Sequence, residues 1–400
     1  MLKKTIEILV VFRDIKREEV FKNKYKIGIN SFARDRKLGF DKIMTMMIKK
    51  SNKSIQNSIT DTQLDLGEYV TISNSAYTQA RAKLNYTAFK EFAKDVSQAR
   101  VSCLYGVLNN IAIDSSISNK NKSKENNLIA YDERTLAVEH LQHCNKDDLT
   151  LMDRGYPSFE LFASAYNKTN IFCRLRRNVF SKAKFLFDAH SEKKDVILEI
   201  NAPKYLKERL RSENIPTKMK IRFVQVILDN GTVEVLCTNI TDNERLKTSE
   251  FKELYALRWG IETYFDLIKN RLSLENFTGQ SALAVKQDFF ATIFLTNYES
   301  ILTYDINDDL KESTKDNKYV QKVNKAVSFN VIKHKVFDLL YLDNPIDEIL
   351  EQMEKLFLTN TIVIRPNRKS KPRLDKDIHK STIATNSINH LKRKKKNVGN

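Results

Sequence analysis

Leu149-Thr150-Leu151-Met152-Asp153-Arg154-Gly155-Tyr156-Pro157 decides the fold. Leu149–Met152 reads as a short buried strand, and the Asp-Arg-Gly-Tyr-Pro run breaks it sharply. A carboxylate just past a buried strand projects from the sheet edge, where open α/β sites form. A turn or N-cap role for Asp153 is the plainer alternative at this point. The flanking segments fit a mixed sheet. Upstream, Val101–Leu108 and Ile111–Ile117 are apolar, β-prone runs around Asn109-Asn110, a hairpin signal. A polar loop, Ser118–Asn127, follows. Glu133–Cys144 then reads as a helix with Leu136, Ala137, His140 and Leu141 on one face. Downstream come a helix at Phe159–Tyr166 and a strand at Ile171–Leu175. Hairpin, helix, strand, helix, strand is the order of an α/β domain.

Outside this region the texture changes. Residues 1–98 are basic and mostly helical. Asn30 or Ser31 is placed to cap a helix carrying Phe32, Leu38, Phe40, Ile43, Met46 and Met47; further helices fall at Gln79–Leu84 and Phe89–Val96. This suits a DNA-binding unit, although no sharp helix-turn-helix signature stands out. Val196–Ile200, Ile221–Leu228 and Thr232–Thr238 form a β-rich insertion over 185–248, with a turn at Asp229-Asn230-Gly231. The remaining segments are long helices over 249–303, a helical part over 304–364 and a basic tail over 365–400. The α/β core before the insertion spans 99–184.

The net charge of +18 over 400 residues points to a polyanionic partner, with nucleic acid first. Cys103, Cys144, Cys173 and Cys237 make no CxxC pair, so no zinc site is expected, and scattered thiols fit a reducing cytoplasm. No signal-peptide pattern occurs, and no apolar run approaches the roughly 18 residues of a membrane span.

The sharpest motif is Tyr255, Arg258, Glu262 and Lys269. At about 100° per residue these positions fall within roughly 60° of one helix face, beside an apolar stripe of Leu254, Leu257, Ile261, Phe265 and Ile268. Alone, such a line is usually a salt-bridged surface stripe. Trp259 lies off it and reads as a packing residue. His140 and His143 sit three apart with no partner pair, so core or surface roles are expected for both.

The motif has company. Tyr-x2-Arg-x3-Glu-x6-Lys is the signature of the insertion-sequence transposases of the IS-four group, which the chain resembles. Asp153-Arg154-Gly155-Tyr156 is similar to that group's segment around its second catalytic aspartate, and Gln79-Ala80-Arg81-x-Lys83-Leu84 to its N-terminal segment. Arg258-Trp259-Gly260-Ile261-Glu262 and Leu274-Glu275-Asn276-Phe277-Thr278-Gly279 are also family-like. The resemblance runs from about Phe32 to the basic tail. It implies an RNase H-like core with a β-rich insertion. It also implies three carboxylates that converge on two Mg²⁺ ions and catalyse DNA cleavage and strand transfer at transposon ends. Asp153 and Glu262 take the places of metal ligands. Arg258 and Lys269 take phosphate-contacting places, and Tyr255 a place on the DNA backbone. The implied partner is duplex DNA at terminal inverted repeats, with self-association on DNA left open.

The third carboxylate breaks the pattern. The family's first aspartate lies on a first strand, with two more strands before the first helix; here one hairpin precedes that helix. Ser102-x-Leu104-Tyr105-Gly106-Val107-Leu108-Asn109 resembles the family's second strand, with Gly106 in place of the usual Asp. The first strand is therefore expected to be deleted. Asp114 is the one nearby substitute, and an ordinary strand-end carboxylate is the favoured reading of it. Three functions follow: an active transposase, a related nuclease, or a catalytically impaired DNA-binding remnant.

Overall fold

The computed structural model describes residue 10 and residues 13–34, 37–49, 54–68, 72–89, 100–118, 133–274, 277 and 281–365. Past Phe89, the helix expected over Phe89–Val96 lies outside these residues, as do the loop expected over 119–127 and the tail beyond Arg365.

The centre is a five-stranded mixed sheet, ordered β3-β4-β7-β6-β5. Its strands are β3 (Leu149–Met152), β4 (Asn170–Arg174), β5 (Asp195–Asn201), β6 (Lys218–Ile227) and β7 (Val233–Thr238), with the short helix α7 (Lys207–Ser212) between β5 and β6. β3 and β4 are parallel, and the other pairs antiparallel. The strands of 185–248 are not a separate layer. β7 pairs with β4 through Phe172↔Thr238 and Arg174↔Leu236, so they extend the sheet that holds Asp153. Side chains alternate across it, as the pleat demands. Ile171, Cys173, Phe223 and Val235 face one core with Phe159 and Phe162 of α6 (Phe159–Ser164). Phe172, Val224 and Leu236 face another with Phe251 and Tyr255 of α8 (Phe251–Ala256).

The hairpin of β1 (Arg100–Gly106) and β2 (Ile111–Ser118) forms a two-stranded sheet of its own. Asn110 takes the left-handed conformation its turn requires, at φ 56°. β2 docks on α10 (Ala282–Ser313), where the Asn297 amide both accepts from the Ala112 N–H at 2.8 Å and donates to its carbonyl at 2.9 Å. β1 contacts α5 (Glu133–His140). Among the described residues no strand joins this hairpin to β3.

The N-terminal helices α1 (Glu19–Tyr25), α2 (Phe40–Ile48), α3 (Ile55–Leu66) and α4 (Asn74–Arg81) share one core with α10, α11 (Lys325–Leu340) and α12 (Ile346–Thr359). The helix expected from Asn30 or Ser31 starts only at Phe40, after Gly39; Phe32 instead turns left-handed, at φ 57°. A short pair, β8 (Gln321–Val323) and β9 (Thr361–Val363), escaped the sequence reading. No described helix is long and apolar enough to cross a membrane.

The continuous helices expected over 249–303 are broken. After α8 the chain tightens: the N–H groups of Leu257, Arg258 and Gly260 reach back three residues, at 2.9–3.1 Å. α9 (Trp259–Asp266) follows, then a π-helical turn at Leu267–Arg271. A side chain at Gly260 would put its Cβ 2.9 Å from Val107, so only glycine lets α9 lie this close to the hairpin.

Candidate functional site

Met152 ends β3 and Asp153 leaves it, its carbonyl accepting from the Tyr156 N–H at 3.1 Å. Arg134 of α5 steadies the turn by donating from Nε to the Gly155 carbonyl at 2.9 Å. Asp153 Oδ1 accepts from Arg174 Nη2 at 2.9 Å and from the Tyr255 hydroxyl at 3.2 Å. Arg174, at the end of β4, also pairs with Glu234 of β7. Partial burial works to raise the Asp153 pKa. The Arg154 N–H and the Arg174 and Arg258 guanidiniums outweigh it and hold the carboxyl below the usual carboxylate range. Burial first, then the nearby Asp153 charge, push the Tyr255 hydroxyl upward, which keeps it a donor.

Arg258 sits on the tight turn between α8 and α9, so the four motif residues do not share one uninterrupted helix. Tyr255, 8% exposed, packs against the sheet, and Glu262 faces solvent on α9. Arg258 joins them. Its guanidinium lies 5.5 Å from the Tyr255 ring centroid, and its Nη1 donates to Glu262 Oε1 at 2.7 Å. Its Nε is buried without a hydrogen-bond partner. Lys269 is exposed on the π-helical turn, a distortion frequent at functional sites. Trp259 corrects an expectation: it is 61% exposed rather than packed, because the turn carries it outward, with Arg258 over its ring at 5.1 Å.

Asp114 belongs to a different cluster. It is buried on β2 and accepts from His140 Nδ1 at 2.6 Å, with His143 Nε2 3.6 Å away. The other ring nitrogen of His140 meets Ser102 Oγ at 2.9 Å, so this chain of bonds ties α5 to the hairpin. Burial would raise the Asp114 pKa, but the His140 hydrogen bond and the two imidazoles lower it. These contacts give it a structural duty.

One oxygen of each candidate metal ligand is already engaged. A two-Mg²⁺ centre needs several free anionic oxygens converging on one point. Here Asp153 Oδ1 carries a guanidinium and a hydroxyl, and Glu262 Oε1 carries a guanidinium. Among the described residues no three His, Cys, Asp or Glu side chains are grouped to hold a metal ion.

A family model described as the transposase DDE domain matches residues 93–298, just over half of the chain. The chain belongs to this DDE-domain transposase family. Its mixed sheet with flanking helices is consistent with an RNase H-like core. No curated protein matches the chain. Among solved structures it is similar to a piggyBac transposase synaptic complex with hairpin DNA, determined by cryo-EM. The identity is 10% and the TM-score 0.43, over 92% of this chain and 84% of that one.

Two features of the region were missed in the sequence. Arg174 sets the electrostatic surroundings of Asp153 and Glu234 holds Arg174; the available signal was an arginine inside the otherwise apolar run Ile171–Leu175. Arg81 of the Gln79–Leu84 motif proves to be a buried clamp, donating from Nε to Gln287 at 2.7 Å and from Nη2 to Asp288 at 2.7 Å.

Proposed function

We propose that this chain is a transposase of the Tyr-Arg-Glu-Lys group that binds duplex DNA at transposon terminal inverted repeats in the cytoplasm. We further propose that, as written, it cleaves that DNA poorly or not at all. The carrying observation is the pairing of both candidate carboxylates with guanidiniums, with no third acid grouped with them to hold a metal ion among the described residues. Three carboxylates normally share the charge of two divalent ions; two already neutralised ones anchor them weakly. Arg174 and Arg258 can instead turn to phosphate oxygens, with Lys269 as a further point charge. Tyr255 positions the backbone through its hydroxyl.

The active-transposase reading draws on family membership and on Asp153 at its strand end. It needs a third carboxylate from outside the described residues, where Glu91, Asp95, Glu125 and Asp132 lie.

The test is anisotropy of a labelled duplex carrying the ends of the element, in EDTA and in Mg²⁺. Affinities equal within about twofold, falling with salt by roughly 0.9 log units per log unit for each phosphate contacted, support the proposal. Binding that requires Mg²⁺ counts against it.

A further inference from the structure

We propose that the exposed face of α4 and the groove beside it read base pairs of duplex DNA; this rests on the DNA-binding reading above. α4 is held rigidly. Ser73 caps it, accepting from the Ala76 N–H at 3.1 Å, while Tyr77, Ala80 and Arg81 are buried against the helical core. Its outward residues are Asn74, Ser75, Ala76, Thr78 and Gln79. This face carries no charge, although 118 of the 400 residues, 68 basic and 50 acidic, are charged. A helix face kept only for solubility normally bears lysines and glutamates. Amides, hydroxyls and a methyl are instead the groups that match base edges in a major groove. A Gln amide can bond adenine through N6 and N7 at once, and an Ala methyl meets the thymine methyl.

The cations stand off this face, on the groove alongside. The groove has a volume of about 990 Å³, and Arg34, Lys37 and Lys83 line it together with Gln79 and Ala76 of α4. None of its described lining residues is a carboxylate. Its apolar wall includes Phe32 and Ile72. Neutral hydrogen-bonding groups flanked by cations match a duplex, in which base edges are flanked by phosphates. A protein or single-stranded partner would not need that division.

The experiment selects binders from a duplex pool with 20 random base pairs, using the full chain and its Gln79→Ala and Lys83→Gln variants. Both positions are outside the buried core, and matching thermal midpoints verify folding. Wild type should enrich a motif. Gln79→Ala should lose about tenfold of its preference at one base pair of that motif while keeping its affinity for poly(dI-dC). Lys83→Gln should weaken every sequence alike and lower the salt slope by about 1. Three results overturn the inference while leaving DNA binding intact. These are no enriched motif, a motif unchanged in Gln79→Ala, and equal affinity for an RNA duplex of the selected sequence. A chain that binds no DNA at all sinks the reading beneath it as well.

Discussion

Replacing Arg81 with Met tests the clamp that fastens the N-terminal helices to the core. Arg81 and Asp288 have side chains only 5% and 2% exposed, and the guanidinium meets the carboxylate at 2.7 Å. Its Nη2 also donates to the Ala284 carbonyl at 2.8 Å. Arg81→Met keeps the volume but leaves the Asp288 carboxylate buried without the guanidinium that faces it. Breaking one side of a buried pair costs about 3–5 kcal/mol, a large part of the roughly 5–15 kcal/mol that holds a domain together. Gln287 still donates to the carbonyls of Arg81 and Leu84 at 3.1 and 2.6 Å, so the loss should stay local. The assay is hydrogen exchange of the amides of α4 and of 284–290. Protection should drop by roughly a hundredfold to a few thousandfold. Adding Asp288→Leu removes the stranded charge and should recover most of it. Protection within about tenfold of wild type in the single variant, or no recovery in the double, would refute the reasoning.

Three further outcomes follow from the same structure. Truncation after Ile364 should lower the salt slope of DNA binding and leave the far-ultraviolet dichroism of the core unchanged, since the basic tail lacks a periodic apolar pattern; an unchanged slope contradicts this. Asp153→Asn should tighten metal-free DNA binding about fourfold, from roughly 0.8 kcal/mol of repulsion between unit charges about 5 Å apart in water-like surroundings; weaker binding would show that the carboxylate positions Arg174 for DNA. The depressed Asp114 pKa means that its stabilising effect is complete above the unfolded carboxylate value and is lost as pH falls through the folded one. Thermal midpoints measured from pH 6 down to 2 should therefore fall less steeply in Asp114→Asn than in wild type.

Elements whose pattern is local were legible in the sequence. The β1–β2 hairpin, the Leu149–Met152 strand and the turn at Gly231 carry their own turn residues and apolar runs. Pairings that depend on distant segments were not. Nothing near Val233–Thr238 announces that it joins Asn170–Arg174, with partners such as Phe172 and Thr238 far apart in the chain. The break at Leu257–Arg258 was hidden because hydrophobic periodicity continues through it, and the close approach of Gly260 to Val107 just after it depends on a distant segment. The motif residues could be picked from their order, yet their partners could not. Arg174 reaches Asp153, and Glu234 reaches Arg174, from strands whose pairing had not been deduced, and the His140 partner of Asp114 lies 26 residues away. The hairpin itself was legible, but that it pairs with no strand of the five-stranded sheet among the described residues was not.

The most direct measurement is cleavage of duplex DNA carrying the ends of the element, by the full chain with Mg²⁺, beside Asp153→Ala. The account predicts that the protein shifts this DNA on a native gel. It also predicts no more nicked or joined product from the wild type than from the variant. Strand cleavage that depends on Asp153 would contradict it and show that another carboxylate completes the site.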